Sequence, residues 1–589
     1  MENKHWMIKS LALIVGLFLS IVTYGQVDTR VREYLSAKKI MWMQHEEQIS
    51  GANVLLREGN GQADLTNSHI CVMKSTKEKH PAVLLDFGRE LHGGLQIVTG
   101  MPDSHDPVRL RIRFGESASE AMCEIDGKNG ATNDHAVRDF EITVPWLGVR
   151  EVGNSGYRFV RIDLLDDNAE LHLKEVRAVS VYRDIPYRGS FKCNDERLNK
   201  IWQTGAYTVH LNMQEHLWDG IKRDRLVWMG DMHPEIMTIS HVFGYNEVVP
   251  KSLDLARDIT PLPNWMSGFY TYSMWWVIAQ RDWYKFNGDE KYLNEQREYL
   301  LGLLELLSQK VDKKGFETSG GGFLDWPSNA NQPAMRVGTH ALLMMTMEAG
   351  RELCERLGET QMAACCAECH ARMMKAVPTL TKQYKKEALL PGEPGSKQGA
   401  ALMALAGMID AEKANREVLT VEGARGFSTF YGYYLLQAMA KAGDYTGALD
   451  IISDFWGAMI DLGATTFWED FNVDWLKENP APIDELVPEG KKDIHGDFGA
   501  YCYVGFRHSL CHGWASGPTA WLSQHVLGVE VIEPGCKVVK VTPHLGNLEW
   551  VEGTFPTPYG EIKIVHKKGV DGKVVSTVDA PEGVKIIRD

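Results

Sequence analysis

Tyr292-Leu293-Asn294-Glu295-Gln296-Arg297-Glu298-Tyr299-Leu300-Leu301-Gly302-Leu303-Leu304-Glu305-Leu306-Leu307 brings apolar residues back every third or fourth position. That is the period of a helix with one buried face. Phe430-Tyr431-Gly432-Tyr433-Tyr434-Leu435-Leu436-Gln437-Ala438-Met439 repeats the pattern. Helical spacing of this kind recurs from about Cys193 to Val526, in roughly ten to twelve segments. So many paired helices suit an (α/α)6 barrel, in which inner helices leave a funnel and their connecting loops present side chains at one end. A superhelical array is the competing architecture, and the lack of a repeat of fixed period weakens it.

The flanks read differently. From about Gln26 to Asp184 short runs alternate apolar and polar residues, as in Ala82-Val83-Leu84-Leu85-Asp86-Phe87 and Val108-Arg109-Leu110-Arg111-Ile112-Arg113-Phe114. This is β-sandwich patterning, with Asp86 to Leu95 expected as a tight glycine-bearing turn between strands rather than a lectin-like surface. Strands return from about Glu530, where Gly560–His566 and Gly572–Val578 are expected to pair across a turn at Gly569 to Gly572. The expected division is a sandwich over 26–187, a barrel over 188–527 and a small β-sheet domain over 528–589.

The first 25 residues read as a signal peptide. Lys4, His5 and Lys9 precede an apolar stretch from Leu11 to Val22, and small residues near Gly25 offer a cleavage site. The stretch is too short for a stable membrane anchor, so a mature protein outside the cytoplasm is expected. The formal charge of -15 argues against a nucleic-acid partner, which wants a basic surface. Ten cysteines are too few for a disulfide scaffold over 589 residues. Cys365, Cys366 and Cys369 sit beside His370 in an alanine-rich helical run and read as small apolar packing groups rather than zinc ligands.

Chemistry concentrates in Trp218-Asp219-Gly220-Ile221-Lys222-Arg223-Asp224-Arg225-Leu226-Val227-Trp228-Met229-Gly230-Asp231. Carboxylates transfer protons and bind hydroxyls, arginines hold carboxylates in place, and indoles offer flat walls to the C–H face of a sugar. A structural ion-pair network is the plainer account of the same residues. Gly463-Ala464-Thr465-Thr466-Phe467-Trp468-Glu469 repeats the pairing of acid and indole, and His512-Gly513-Trp514 adds an imidazole. Gly320 to Trp326 is a further candidate wall.

Taken together these segments resemble the bacterial α-L-rhamnosidases of glycoside hydrolase family 78. In that family an Asp, an acid five residues on and an Asp seven further on form the sugar site, and Asp219, Asp224 and Asp231 fall there. The family's Gly-Ala-Thr-Thr-x-Trp-Glu segment corresponds to Gly463–Glu469 and its His-Gly-Trp segment to His512–Trp514. The resemblance implies an inverting exo-hydrolase of α-L-rhamnosides with Asp224 as general acid and Glu469 as general base. It also implies that Asp219 and Asp231 bind ring hydroxyls, with Arg223 or Arg225 orienting the acids. Trp228, Trp326, Trp468, Trp514 and His512 complete the sugar-binding set. The family's acid is usually glutamate, so Asp224 sets the proton donor back by one methylene.

Two other classes remain open at this point. One is a related toroidal hydrolase or lyase acting through Tyr270, Tyr272 or His512, and the other a carbohydrate-binding homologue without catalysis. No organic cofactor is expected, since a phosphate-binding glycine loop is absent from the sequence. Calcium stays open among so many acids, as do the glycan, its linkage and the oligomeric state.

Overall fold

The computed structural model describes residues 28–125, 129–320 and 322–588. The expected signal peptide lies outside the described residues. No described helix is long and apolar enough to cross a membrane.

Among the described residues, the N-terminal part forms one connected sheet of nine strands. They are β1 (Arg30–Ser36), β2 (Lys39–Gln44), β3 (Ile49–Ser50), β4 (Cys71–Lys74), β5 (Ala82–Thr99), β6 (Val108–Gly115), β7 (Asp139–Val144), β8 (Gly148–Leu164) and β9 (Glu170–Arg183). The long β5 and β8 serve two layers. The first half of β5 pairs with β2 and the end of β8, and its second half pairs with β9 and the start of β8. One core unites both halves, with Val83 and Leu85 packing in the same cluster as Leu95, Ile97 and Val176. The sheet therefore folds over itself as a sandwich.

The Asp86–Leu95 segment is not a turn between strands. It is a kink within β5, marked by register shifts between Asp86 and Leu91 and between Gly93 and Leu95. The bulge is a device for bending a strand, and here it aims the backbone at the barrel: Glu90 N donates to Thr465 Oγ1 at 2.9 Å, and Tyr207 Oη donates to Glu90 O at 2.6 Å.

Twelve helices follow among the described residues: α1 (Glu196–Asn212), α2 (Met232–Val242), α3 (Val248–Asp258), α4 (Tyr270–Asn287), α5 (Glu290–Ser308) and α6 (Gln332–Leu357) in the first half. The second half holds α7 (Thr360–Ala388), α8 (Ser396–Leu405), α9 (Ala411–Ala414), α10 (Gly432–Lys441), α11 (Tyr445–Asp461) and α12 (Gly517–Trp521). Helices α9 and α12 run on into π-helical turns ending at Leu419 and Val526. The even-numbered helices close a ring, α2 on α4, α4 on α6, and so on until α12 returns to α2. The odd-numbered helices pack outside them, which makes six hairpins.

The quoted stretch at 292–307 is the outer helix α5. Asp289 caps it by accepting from Tyr292 N, and Leu293, Leu300, Leu303, Leu304 and Leu307 form its buried stripe. Each leucine stabilises the contact by about 1.5–3 kcal/mol. The inner helix α4 is buried almost all round, from Tyr270 to Phe286, as the ring requires. Cys366 and Cys369 on α7 lie in the same core, where burial pushes the Cys366 thiol up.

The C-terminal sheet reaches back across the chain. Strand β10 (Ser190–Cys193), which leads into α1, pairs antiparallel with β13 (Trp550–Thr557). That strand pairs with β14 (Gly560–Lys568), and β14 pairs with β15 (Val574–Asp579) as expected across the Gly569–Gly572 turn. A smaller sheet joins Val529–Glu533, Val538–Val541 and Lys585–Ile587.

Candidate active site

At one end of the ring a cavity of about 140 Å³ is lined by Asp219, Arg223, Asp224, Trp228, Asp231, Phe269, Tyr272, Phe323, Trp326, Glu469, Cys502, Tyr503, His512 and Trp514. A roomier cleft of about 550 Å³ lies between barrel and C-terminal sheet, walled by lysines 285, 441 and 540. Of its carboxylates, Asp282 is already bound by His233 and Arg281.

The loop between α1 and α2 delivers four charged residues. It is cinched by Asp219, whose N–H donates to Leu226 O at 3.0 Å while its Oδ1 accepts from Leu226 N at 2.9 Å. Within this clasp the chain turns through two successive left-handed residues, Asp224 at φ 54° and Arg225 at φ 58°. Asp tolerates that conformation better than most side chains, and paired outliers of this kind gather at functional sites. Asp231 stands at the head of α2 and accepts from Tyr272 Oη at 3.3 Å.

Asp224 is held from three directions. Trp228 Nε1 donates to its Oδ2 at 3.0 Å, Arg223 Nη1 lies 3.4 Å from its Oδ1, and His135 Nδ1 lies 3.3 Å from the same oxygen. His135 comes from the sandwich. Glu469 is more deeply set, its side chain 2% exposed against 15% for Asp224. One oxygen binds Arg223 Nη2 and the other accepts from Ser509 N at 3.1 Å. Its carbonyl accepts from Trp514 Nε1 at 3.0 Å and Thr429 Oγ1 at 2.6 Å. A single guanidinium thus reaches both carboxylates, a geometry only a planar fork provides.

His512 Nε2 faces Asp219, Asp231 and Glu469 at 3.6, 3.9 and 3.5 Å. Burial lowers this imidazole to about 4. Burial and the charge of neighbouring carboxylates push Asp219 and Asp231 well above the usual range, Asp219 beside Asp224 and Asp231 beside Asp219. Beneath them Glu235, fully buried, is likewise pushed up by burial and by Asp231. Gly513 is required beside it, since a Cβ there would sit 1.5 Å from Glu235 Oε1.

The sandwich braces Glu469 as well. Glu116 Oε2 accepts from Leu510 N at 2.6 Å, next to the Ser509 N–H that holds Glu469. Lys222 Nζ lies 3.0 Å from Glu116 and 3.1 Å from Glu120, and donates to the carbonyls of Phe506 and His508. Glu116, Glu120 and His495 form one group with the spacing of metal ligands among the described residues. The Lys222 ammonium already supplies the cation there, so a metal does not fit. Asp219, Asp231 and His512 form the other such group, and it faces the cavity.

Nine of the eleven residues expected at the site line this cavity. Two do not. Arg225 turns outward, donating to Asn154 O at 3.0 Å and lying over the Trp218 ring. Trp468 is 1% exposed and packs on Phe471 behind Glu469, so its indole is core rather than wall. Phe323, in the candidate wall Gly320 to Trp326, joins the lining, and the walls missed from sequence are Phe269 and Tyr503. Tyr503 accepts from Trp326 Nε1 and lies beneath the Arg223 guanidinium, 5.1 Å from its ring centroid. His135 and Glu116 were equally illegible, as neither carries a motif and both arrive from another domain.

Residues 186–526 match the family described as bacterial alpha-L-rhamnosidase 6 hairpin glycosidase domain, and residues 528–587 match the bacterial alpha-L-rhamnosidase C-terminal domain. Among solved structures, a GH78 family rhamnosidase of Bacillus sp. GL1 is similar at 22% identity and TM-score 0.72, over 89% of this chain and 55% of that one. A rhamnosidase from Klebsiella oxytoca with rhamnose bound is similar at 18% identity and TM-score 0.65, over 84% and 96%. The Streptomyces avermitilis alpha-L-rhamnosidase complexed with L-rhamnose is similar at 17% identity and TM-score 0.66, over 87% and 50%. The chain thus spans about half the length of the Bacillus and Streptomyces proteins. Among curated proteins none matches.

Proposed function

Because the chain belongs to the bacterial α-L-rhamnosidase six-hairpin glycosidase family, we propose that it hydrolyses terminal α-L-rhamnosides with inversion at the anomeric carbon. The observation that carries this reading is the single pocket in which Arg223 bridges Asp224 and Glu469 while Asp219, Asp231 and His512 crowd the floor. Two carboxylates on opposite sides of one bond are what glycoside hydrolysis needs.

In the proposed reaction Asp224 gives its proton to the glycosidic oxygen as the bond from that oxygen to C1 breaks. Glu469 takes a proton from water, whose oxygen bonds to C1 from the opposite face. Inversion requires room for that water, a carboxyl separation of roughly 6.5–9.5 Å in the loaded enzyme. Arg223 keeps the two acids apart and aimed. Asp219, Asp231 and His512 take the ring hydroxyls, and Trp228, Trp326 and Trp514 face the apolar side of the sugar and its C6 methyl group. The chemistry is carried by side chains alone, with no cofactor assigned, and export by the leader at residues 1–25 would place it outside the cytoplasm.

Proton NMR of the protein with an aryl α-L-rhamnopyranoside tests the proposal. Early β-rhamnose, lost in Glu469→Gln, is the expected result. Early α-rhamnose overturns inversion, and no rhamnose from aryl or glycan substrates overturns the activity.

A further inference from the structure

The cleft between the barrel and the C-terminal sheet lies at the far end of the ring from the catalytic cavity. On α4, Tyr272 lines the cavity and Lys285 the cleft, about 20 Å further along the helix axis. The barrel contributes Lys285, Gln437 and Lys441 from α10, and Gln524 and His525 from the π-helical turn after α12. The C-terminal sheet contributes Glu530 and Lys540, which oppose one another on neighbouring strands. The cleft therefore exists only where the two domains meet.

Its charge runs against that of the chain. The protein carries -15 overall, yet three lysines share this lining with two carboxylates, and Asp282 is occupied by His233 and Arg281. Among the described residues no carboxylate pairs with Lys285 or Lys441, and Lys441 donates to the carbonyl of Leu405 at 2.9 Å. Lys285 also lines a second cavity, of about 530 Å³, so open space adjoins it on two sides. A surplus of one sign in a recess concentrates counter-ions there.

The rest of the lining suits hydroxyls better than a bare ion. Gln437 Nε2 donates to Gln524 Oε1 at 2.5 Å, Tyr433 Oη donates to the same oxygen at 3.2 Å, and Gln437 Oε1 meets His525 Nε2 at 2.9 Å. Both amide oxygens are thereby occupied, which leaves the Gln524 amide nitrogen as a donor for the cleft. Tyr445, stacked on His544 with ring centroids 3.7 Å apart, adds an apolar wall. The volume of about 550 Å³ falls in the range of small-ligand sites.

We infer that this cleft is a second carbohydrate site, one that takes an acidic sugar: the lysines meet its carboxylate, Gln524 a hydroxyl, and the ring wall its C–H groups. The ligand is a uronate-bearing glycan segment, and its binding ties the barrel to the C-terminal sheet. The inference does not depend on which bond the catalytic cavity cleaves.

Calorimetric titration of the whole protein with an oligomer of glucuronic acid, a glucose oligomer of equal length and inorganic phosphate tests it. The uronate oligomer should bind saturably, about ten-fold or more tighter than the glucose oligomer, and less tightly as sodium chloride is added. Lys285→Gln should weaken it about five-fold. Lys285→Glu should abolish it and Lys285→Arg retain it, with ligand-free melting temperatures at the parental value. The parent's melting temperature should rise with uronate concentration, as for any ligand held by the folded state alone. Phosphate binding as tight as the uronate's would make this a simple anion site and overturn the sugar assignment. Equal affinity for the neutral oligomer, undiminished binding by Lys285→Glu, or no binding by the parent overturns the site. Rhamnoside turnover, followed in the same preparations, should be unchanged by all three substitutions. Uronate binding without turnover would overturn only the hydrolase reading, and turnover without uronate binding only this one.

Discussion

Asp224 and Glu469 line the same cavity and share Arg223, yet the protein holds them in opposite ways. Glu469 is enclosed, with each oxygen and its own carbonyl hydrogen-bonded to buried partners from the barrel. Asp224 rides on a left-handed turn, partly open, and borrows His135 from another domain. Glu469 is positioned by the interior of the fold. Asp224 is positioned at a seam, on a backbone that few residues adopt. Under the proposed mechanism, a firmly held base and a more exposed acid make sense if the attacking water is always the same while the leaving group varies.

The sharpest way to break this contrast is to remove each carboxylate in turn. Glu469→Gln is expected to lower kcat by about 10³–10⁴ on every rhamnoside. Asp224→Asn should cost about 10²–10³ on an alkyl leaving group and no more than about ten-fold on an activated aryl one. Initial rates on the two substrates read the difference, and equal losses for Asp224→Asn on both would remove it from the acid's role.

The brace behind the base comes next. Lys222→Met leaves Glu116 buried without its cation and Glu120 with Arg138 at 3.8 Å, a change worth on the order of 3–5 kcal/mol. Thermal melts should show marked destabilisation, relieved in part when Glu116→Gln is added. A melt unchanged from the parent would mean the sandwich does not support the base.

His135→Ala tests the seam on the acid side. It should reduce kcat on an alkyl rhamnoside by about ten-fold while leaving an activated aryl rhamnoside near the parental rate, with added imidazole restoring part of the loss. Loss on both substrates alike would make His135 a structural contact only.

The smallest expected effect concerns Asp470, beside the base, which burial and then the Glu469 charge push up to about 7. A carboxyl raised in the folded state favours folding at low pH, and that contribution fades as pH climbs from about 4 through 7. The parent's melting temperature should fall over that window. Asp470→Asn should flatten the fall by a few °C. A curve that keeps the parent's slope would show the group titrating normally.

Much of this was legible in the chain. Helical periodicity found the barrel because its outer helices are amphipathic, as α5 is with its leucine stripe. The inner helices are buried on all sides and carry a weaker period, but their number still followed from the spacing of the segments. The acids and indoles were picked because proton transfer and sugar stacking restrict residue type, and nine of the eleven expected residues gather in one cavity. Trp468 and Arg225 were misplaced because a motif records neighbours along the chain and not the direction of a side chain. Trp468 points inward and Arg225 outward. The kink in β5 looked like a turn because glycines serve both. Tyr503, His135 and Glu116 could not be found, since their roles arise only when distant segments meet.

The pairing of β10 with β13 orders events in the making of the molecule. Ser190 bonds to Thr554, a partner 364 residues further along. At about 5–20 residues per second a ribosome needs roughly 20–70 s to cover that distance. Through that interval a strand edge at the entrance to the barrel stands without its neighbour, the kind of template that invites foreign pairing. The C-terminal sheet is therefore a clasp on the doorway of the barrel that precedes it. A chain cut short after the barrel would keep both Asp224 and Glu469 and still present an open edge to its neighbours.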